Sequence, residues 1–167
     1  VNSRQRKQLQ AVRGASLVAC RTCRHPEGLL SDHQLVLGCG VRSTSAREGA
    51  GGWLGQGAAL EGDLLVVAVN SDVSVRLSKG DDRPVIPQNE RAELVAALRG
   101  VGHVVIFDDK TVEAVIRALR PDVHAKGTDY TADSVPEADL VRRLGGDVRI
   151  VGDPKDHSTS EMIRRLQ

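Results

Sequence analysis

From Asp63 onward, apolar and polar positions alternate between short apolar runs and amphipathic stretches. Leu64-Leu-Val-Val-Ala-Val-Asn70 carries no charge, the pattern of a strand buried on both faces. Gln88–Leu98 has apolar residues at helical spacing, His103-Val-Val-Ile-Phe107 reads as a second strand, and Thr111–Leu119 as a second helix. Pro121–Lys126 is a third strand. Ser134 opens a helix with Pro136 in its first turn and Gly145-Gly146 at its end. Asp147–Val151 is a fourth strand and Ser158–Leu166 a closing helix. Strands alternating with helices predict an α/β fold, a doubly wound parallel sheet in a single domain.

Before Asp63 the pattern is weaker. Asn2–Arg13 fits a basic amphipathic helix and Gln34-Leu-Val-Leu37 a first strand, while 38–62 is rich in Gly, Ala, Ser and Thr without a helical stripe. The expected division is a basic, irregular segment over 1–33 and an α/β domain over 34–167. A chain of 167 residues suffices for one domain with a real core. Its 40% hydrophobic and 27% charged composition is that of a soluble protein. A net charge of +1 gives no reason to expect binding to nucleic acid or to an acidic membrane. Aromatics make up only 2%, as Trp53, Phe107 and Tyr130, too few for a base-stacking platform. No apolar run reaches the length of a membrane span, and the N-terminal residues lack a signal-peptide stretch. With only Cys20, Cys23 and Cys39, no disulfide framework is expected, and the cytoplasm is the expected compartment.

Ligands of open parallel sheets bind outside the carboxyl ends of the strands, which directs attention to three polar segments. They are Asn70-Ser-Asp72, Lys126-Gly-Thr-Asp-Tyr130 and Asp156-His-Ser-Thr-Ser160. Ser158, Thr159 and Ser160 open a helix whose free N–H groups can hold an anion; Glu161 also allows a plain capping box there. Lys79 and Arg83 fall in the loop Ser78–Pro84, with Arg91 one turn into the next helix, a set of cations suited to phosphate or to a solvated surface. Gly127 permits close backbone approach, and Asp129 can accept from a ribose or a base or hold the turn. Cys20-x-x-Cys23 with His25 and His33 does not match a common zinc pattern. Gly38-Cys-Gly40 followed by Ser43 is an incomplete dinucleotide fingerprint.

Taken in order, these segments resemble one family. Val67–Asp72, Ser74-Val75, Lys79-Gly80 and Arg83-Pro84 resemble the stretch after the second strand of heptose 1-phosphate adenylyltransferases, within the cytidylyltransferase-like nucleotidyltransferases. Glu90-Arg91 with Leu94 is similar to the family's next helix. Lys126-Gly-Thr-Asp-Tyr130 is similar to its Lys-Gly-Gly-Asp-Tyr motif, and Ser158-Thr-Ser160 with Ile163 to its closing Ser-Thr-Thr-x-x-Ile signature. The resemblance implies a Rossmann-like fold and a reaction in which a sugar 1-phosphate attacks the α-phosphorus of ATP and pyrophosphate leaves. It implies that Lys79 and Arg91 act in catalysis on the phosphates. It further implies that Asn70, Asp72, Arg83, Lys126, Gly127, Asp129, Ser158, Thr159 and Ser160 bind nucleotide or phosphate, with Mg2+ on the triphosphate. The sequence leaves the oligomeric state open, a homodimer among the options. Relatives that use CTP with a polyol or amino-alcohol phosphate carry Gly-Asp-Asp-Trp where this chain has Lys-Gly-Thr-Asp-Tyr.

The family's first motif, Gly-x-Phe-Asp-x-x-His-x-Gly-His after the first strand, has no counterpart here. Gly40 is followed by Val-Arg-Ser-Thr-Ser-Ala-Arg-Glu, and no histidine occurs between 34 and 102. A binding-only relative, a substitution by Arg42 or Arg47, and a damaged reading frame are the three accounts the sequence leaves open.

Overall fold

The structure, a computed structural model, describes residues 7, 10, 12, 16–19, 35–41 and 57–152. Its strands are β1 (Ser16–Ala19), β2 (Leu35–Val41), β3 (Leu64–Asn70), β4 (Val101–Phe107), β5 (Val123–Lys126) and β6 (Asp147–Ile150). Its helices are α1 (Asp72–Lys79), α2 (Gln88–Ala96), α3 (Glu113–Leu119) and α4 (Ala138–Arg143), and a short 3-10 turn spans Ala58–Leu60. The six strands form one sheet in the order β1-β4-β3-β2-β5-β6. β2 to β6 run parallel, and β1 is an antiparallel edge strand on β4.

The all-apolar run of β3 is fully buried because the sheet is covered on both sides. Leu64, Val66 and Ala68 pack into one core with Leu35 and Leu37 of β2, Val115, Ile116 and Leu119 of α3 and Leu140 and Val141 of α4. Leu65, Val67 and Val69 project to the other face, into a core with Val36, Ile106, Ala125 and the Ala92, Val95 and Ala96 stripe of α2. The expected doubly wound α/β architecture is therefore present, with an antiparallel edge strand added to its parallel sheet. That edge strand corrects one expectation. Ser16–Ala19, placed by the sequence in an irregular segment, belongs to the same sheet as the rest, and Val12 joins the core.

Other boundaries moved for local reasons. α1 begins directly after β3, where the sequence suggested only a polar strand end. Its buried positions are Ser74 and Val75 while Val73 and Leu77 face outward, so no apolar stripe announces it. Lys79 is consequently the last residue of a helix and not a loop residue. The helix expected from Ser134 starts at Ala138. The residues before it are turns, in which Ser134 accepts from Thr131 N at 2.8 Å and donates to Thr131 O at 3.1 Å. The double glycine ends α4 as anticipated. Gly145 takes φ +91°, and Gly145 and Gly146 donate to the carbonyls of Arg142 and Val141, an ending that asks for glycine at the left-handed position. Of the expected helix over 2–13 the structure describes Lys7 and Gln10, both helical, and Val12, a bend; the expected helix over 158–166 lies outside the described residues. No helix among the described residues is long and apolar enough to cross a membrane.

Candidate functional site

The strand order has a switch point. From β2 the chain builds outward to β3 and β4, then crosses back to β5 and β6 on the other side of β2. The carboxyl ends of β2 and β5 therefore carry connections that leave in opposite directions, and in open α/β sheets the crevice formed there holds the ligand. The pairing shows where this crevice opens. β2 and β5 are paired from Val36↔Val123 to Gly38↔Ala125 and no further. β2 stays with β3 through Val41↔Val69, with an irregularity between Cys39 and Val41. β5 stays with β6 through Lys126↔Ile150. The two central strands thus part after Ala125, and Lys126 is the residue at which β5 reaches the gap.

Lys126 is buried despite its charge. Its Nζ lies 3.2 Å from Glu137 Oε2 and 5.1 Å from the centre of the Tyr130 ring, a cation over an aromatic face. His124, two residues earlier on β5 and fully buried, brings Nε2 to 3.9 Å from the same carboxylate oxygen. Burial alone would push the Glu137 carboxyl up. The hydrogen bond from His124, the charge of Lys126, the charge of His124 and the hydrogen bond from Lys126 outweigh it and hold the group at about 2. Beyond Lys126 the chain turns back, with Tyr130 N donating to Gly127 O at 3.2 Å, which leaves Thr128 and Asp129 at the exposed tip.

The end of β3 is organised differently. Asn70 is buried and its Nδ2 donates to Ser74 Oγ at 2.9 Å, while Ser74 Oγ donates to the carbonyl of Asp109 at 2.9 Å. Ser71 caps α1 by accepting from Ser74 N. Asp72 receives Arg91 Nη2 at 2.7 Å, and Arg91 Nε donates to the Ile86 carbonyl at 3.0 Å. Asp72 N donates to Gln88 Oε1 at 2.9 Å. These bonds return the connection 80–87 to the start of α1 and close it there.

Of the residues singled out by sequence, the structure gathers Lys126, Gly127 and Asp129 at the crevice, and sets Asn70 and Asp72 at the neighbouring strand end. It does not gather the expected trio of cations. Arg91 has no exposed surface and is spent on Asp72 and Ile86, so in this arrangement it offers no face to a phosphate. Lys79 lies at the far end of α1, roughly 10 Å along the helix from Asp72. Arg83 is half-buried in the connection between α1 and α2. Ser158, Thr159 and Ser160, Arg42 and Arg47, and Cys20, Cys23, His25 and His33 all lie outside the described residues. Among the described residues no three His, Cys, Asp or Glu side chains converge as a metal site. Sequence reasoning missed Glu137 and His124. The available signal was two polar residues, His124 and Lys126, at alternate positions of a buried strand, which require a buried counter-charge from somewhere.

The profile of the cytidylyltransferase-like family matches residues 56–165. The chain is 48% identical over 112 residues to the bifunctional protein HldE of Gluconobacter oxydans, covering 67% of this chain and 23% of that protein. It is 47% identical over 104 residues to the bifunctional protein HldE of Koribacter versatilis, covering 62% and 21%. The chain thus spans between a fifth and a quarter of the length of these curated relatives. Among solved structures, the lipopolysaccharide core biosynthesis protein from Thermoplasma volcanium superposes with a TM-score of 0.55 at 25% identity, covering 74% of this chain and 99% of that one.

Proposed function

The chain belongs to the cytidylyltransferase-like family of nucleotidyltransferases, and from that premise we propose that it binds ATP at the β2–β5 crevice for transfer of AMP to a sugar 1-phosphate, heptose 1-phosphate first among them. The observation that carries this reading is the coincidence of the switch-point crevice with Lys126-Gly-Thr-Asp-Tyr130, the segment by which the chain resembles the adenylyltransferases and differs from those that use CTP. Transfer of this kind needs little covalent help from the protein. It needs the acceptor oxygen held in line with the α-phosphorus and positive charge on the oxygens of the leaving pyrophosphate. Lys126 and Asp129 would line the nucleotide pocket, and Lys79, Arg83, Ser158, Thr159 and Ser160 would meet the phosphates. Magnesium would arrive on the substrate, as MgATP, since this ion is commonly carried on substrate phosphates.

A second reading, a nucleotide-binding module with little or no turnover, is favoured by one specific observation. No histidine occurs between 34 and 102, where the resemblance leads one to expect two that stabilise the departing phosphates. Losing one such preorganised donor costs on the order of a hundredfold in rate. Binding separates the whole reading from its rivals. Calorimetric titration with MgATP, ADP-heptose and CTP is expected to give heat with the adenine nucleotides and little with CTP. Preference for CTP would transfer the chain to the cytidylyl-transferring relatives, and no heat from a folded sample would end the nucleotide reading.

A further inference from the structure

Glu137 occupies the position before α4, where a side chain would ordinarily cap the helix, yet it makes no capping hydrogen bond. Its carboxylate turns inward, with 8% of the side chain exposed, toward Lys126 and His124. Those two residues alternate on β5 with Val123 and Ala125, which pack in the opposite core, so both project from the face that α4 covers. A buried carboxylate and a buried ammonium are each costly alone and compensate one another when paired.

We propose that Glu137 is a positioning residue of the nucleotide site: it anchors the Lys126 ammonium at the mouth of the β2–β5 crevice, where that ammonium lines the nucleotide pocket. The inference rests on the nucleotide reading given above. A lysine side chain has four rotatable bonds and about 2 kcal/mol of rotamer entropy to lose when it is ordered by a ligand. Held from one side by Glu137 and covered by the Tyr130 ring, Lys126 is ordered before the ligand arrives, so binding does not bear that cost. A carboxylate at this distance also favours the charged form of the ammonium. An ammonium in this buried place without its carboxylate would be driven toward the neutral form. The groups that face it include Glu137 from the turn before α4, His124 from β5, and Tyr130 from the turn beyond Lys126.

The test is a calorimetric titration of the full chain with MgATP, comparing the unsubstituted protein with Glu137→Gln, Lys126→Met and the double variant, each at about pH 7 and about pH 9. Glu137→Gln is expected to weaken MgATP binding roughly tenfold, the scale of one charged hydrogen bond. Its loss should deepen at the higher pH, where the unsupported ammonium gives up its proton, while the unsubstituted protein changes little. The double variant should bind no more weakly than Lys126→Met, because Glu137 acts through Lys126. Where Lys126→Met does not fold, having stranded a buried carboxylate, the double variant is neutral at both positions. It then supplies the comparison, and Glu137→Asp should recover part of the affinity. A folded Glu137→Gln protein with unchanged affinity at both pH values would overturn the inference, as would an equal further loss in the Lys126→Met background. Absence of MgATP binding by the unsubstituted protein would instead overturn the nucleotide reading, and this inference with it.

Discussion

The guanidinium of Arg91 is sealed from solvent and bonded to Asp72 and to the Ile86 carbonyl, and this decides what its removal would do. Arg91→Ala would leave Asp72, whose side chain is 22% exposed, without its partner and would free the connection between α1 and α2. A destabilisation on the order of 3 kcal/mol is expected, visible as a large fall in Tm. Lys79→Ala removes an exposed side chain at a helix end and should shift stability by no more than about 1 kcal/mol, the most an exposed pair contributes. Any effect of Lys79→Ala on MgATP affinity would then report ligand contact, whereas an effect of Arg91→Ala would report the lost buckle. An unchanged Tm for Arg91→Ala would refute the structural role. Glu137 makes a pH-dependent contribution of definite sign. Its carboxyl falls from an ordinary 4.5 to about 2 in the folded protein, so its stabilisation is complete above 4.5 and is lost as the pH drops toward 2. Thermal melts between about pH 6 and pH 2.5 should show Glu137→Gln less stable at the upper end, with the two curves converging on acidification. Parallel curves would show that the carboxylate charge is not what matters.

At the scale of elements, two polar or glycine positions hold the edge opposite the crevice. Asp122 Oδ2 accepts from Leu35 N at 2.6 Å, Asp122 N donates to Leu35 O, and Asp147 N donates to Asp122 O, so one residue ties the starts of β2, β5 and β6. Gly146, ending α4, sits so close to the Pro121 carbonyl and to Val141 Cγ1 that a Cβ there would collide with backbone. Gly146→Ala is therefore expected to cost about 1–3 kcal/mol of stability, read by denaturant unfolding, with MgATP affinity unchanged once the protein is folded. A neutral Gly146→Ala would mean that α4 and β6 shift freely, and would weaken the case that α4 holds Glu137 in fixed register. Which elements were legible in the sequence follows the same physics. β3, β4 and β6 are clear because apolar period and burial agree, whereas α2 is clear although it buries Arg91 and exposes Leu94. α1 was hidden because it buries Ser74 and exposes Val73 and Leu77, so its helical order is set by the Ser71 cap and the Arg91–Asp72 pair and not by a stripe. β1 was hidden because four residues on a sheet edge carry too little pattern to stand out from a basic segment. At the candidate site, Lys126 and Asp129 stand out in the sequence as part of a motif, while Glu137 does not, since only the packing of α4 on β5 brings it to Lys126.

For the molecule as a whole, the question is whether a scaffold that keeps a switch-point crevice also keeps turnover. The β2–β5 gap, the Lys126 anchor and the turn Gly127–Tyr130 are formed by residues on three separate parts of the chain, namely β2, β5 with the turn after it, and Glu137 before α4, and none of these contacts uses the segment after β2. Binding should therefore survive changes in that segment. On the proposed reading chemistry should not, because the two histidines that the resemblance leads one to expect there would act on the pyrophosphate as it departs, and such interactions lower the barrier more than they strengthen the bound ground state. We expect the protein to bind MgATP and yet release pyrophosphate from MgATP and heptose 1-phosphate at least a hundredfold more slowly than a relative with both histidines, the scale of one lost preorganised donor. A coupled pyrophosphate assay under single-turnover conditions measures this directly. Replacing residues 41–61 with a family-like segment that carries the two histidines should restore release without changing MgATP affinity more than a few-fold. Rapid release by the unsubstituted protein would contradict this account and turn attention to Arg42 and Arg47, whose alanine variants should then abolish it. Slow release that the replacement does not restore would place the defect elsewhere in the site, with Lys79 and Arg83 the next residues to vary.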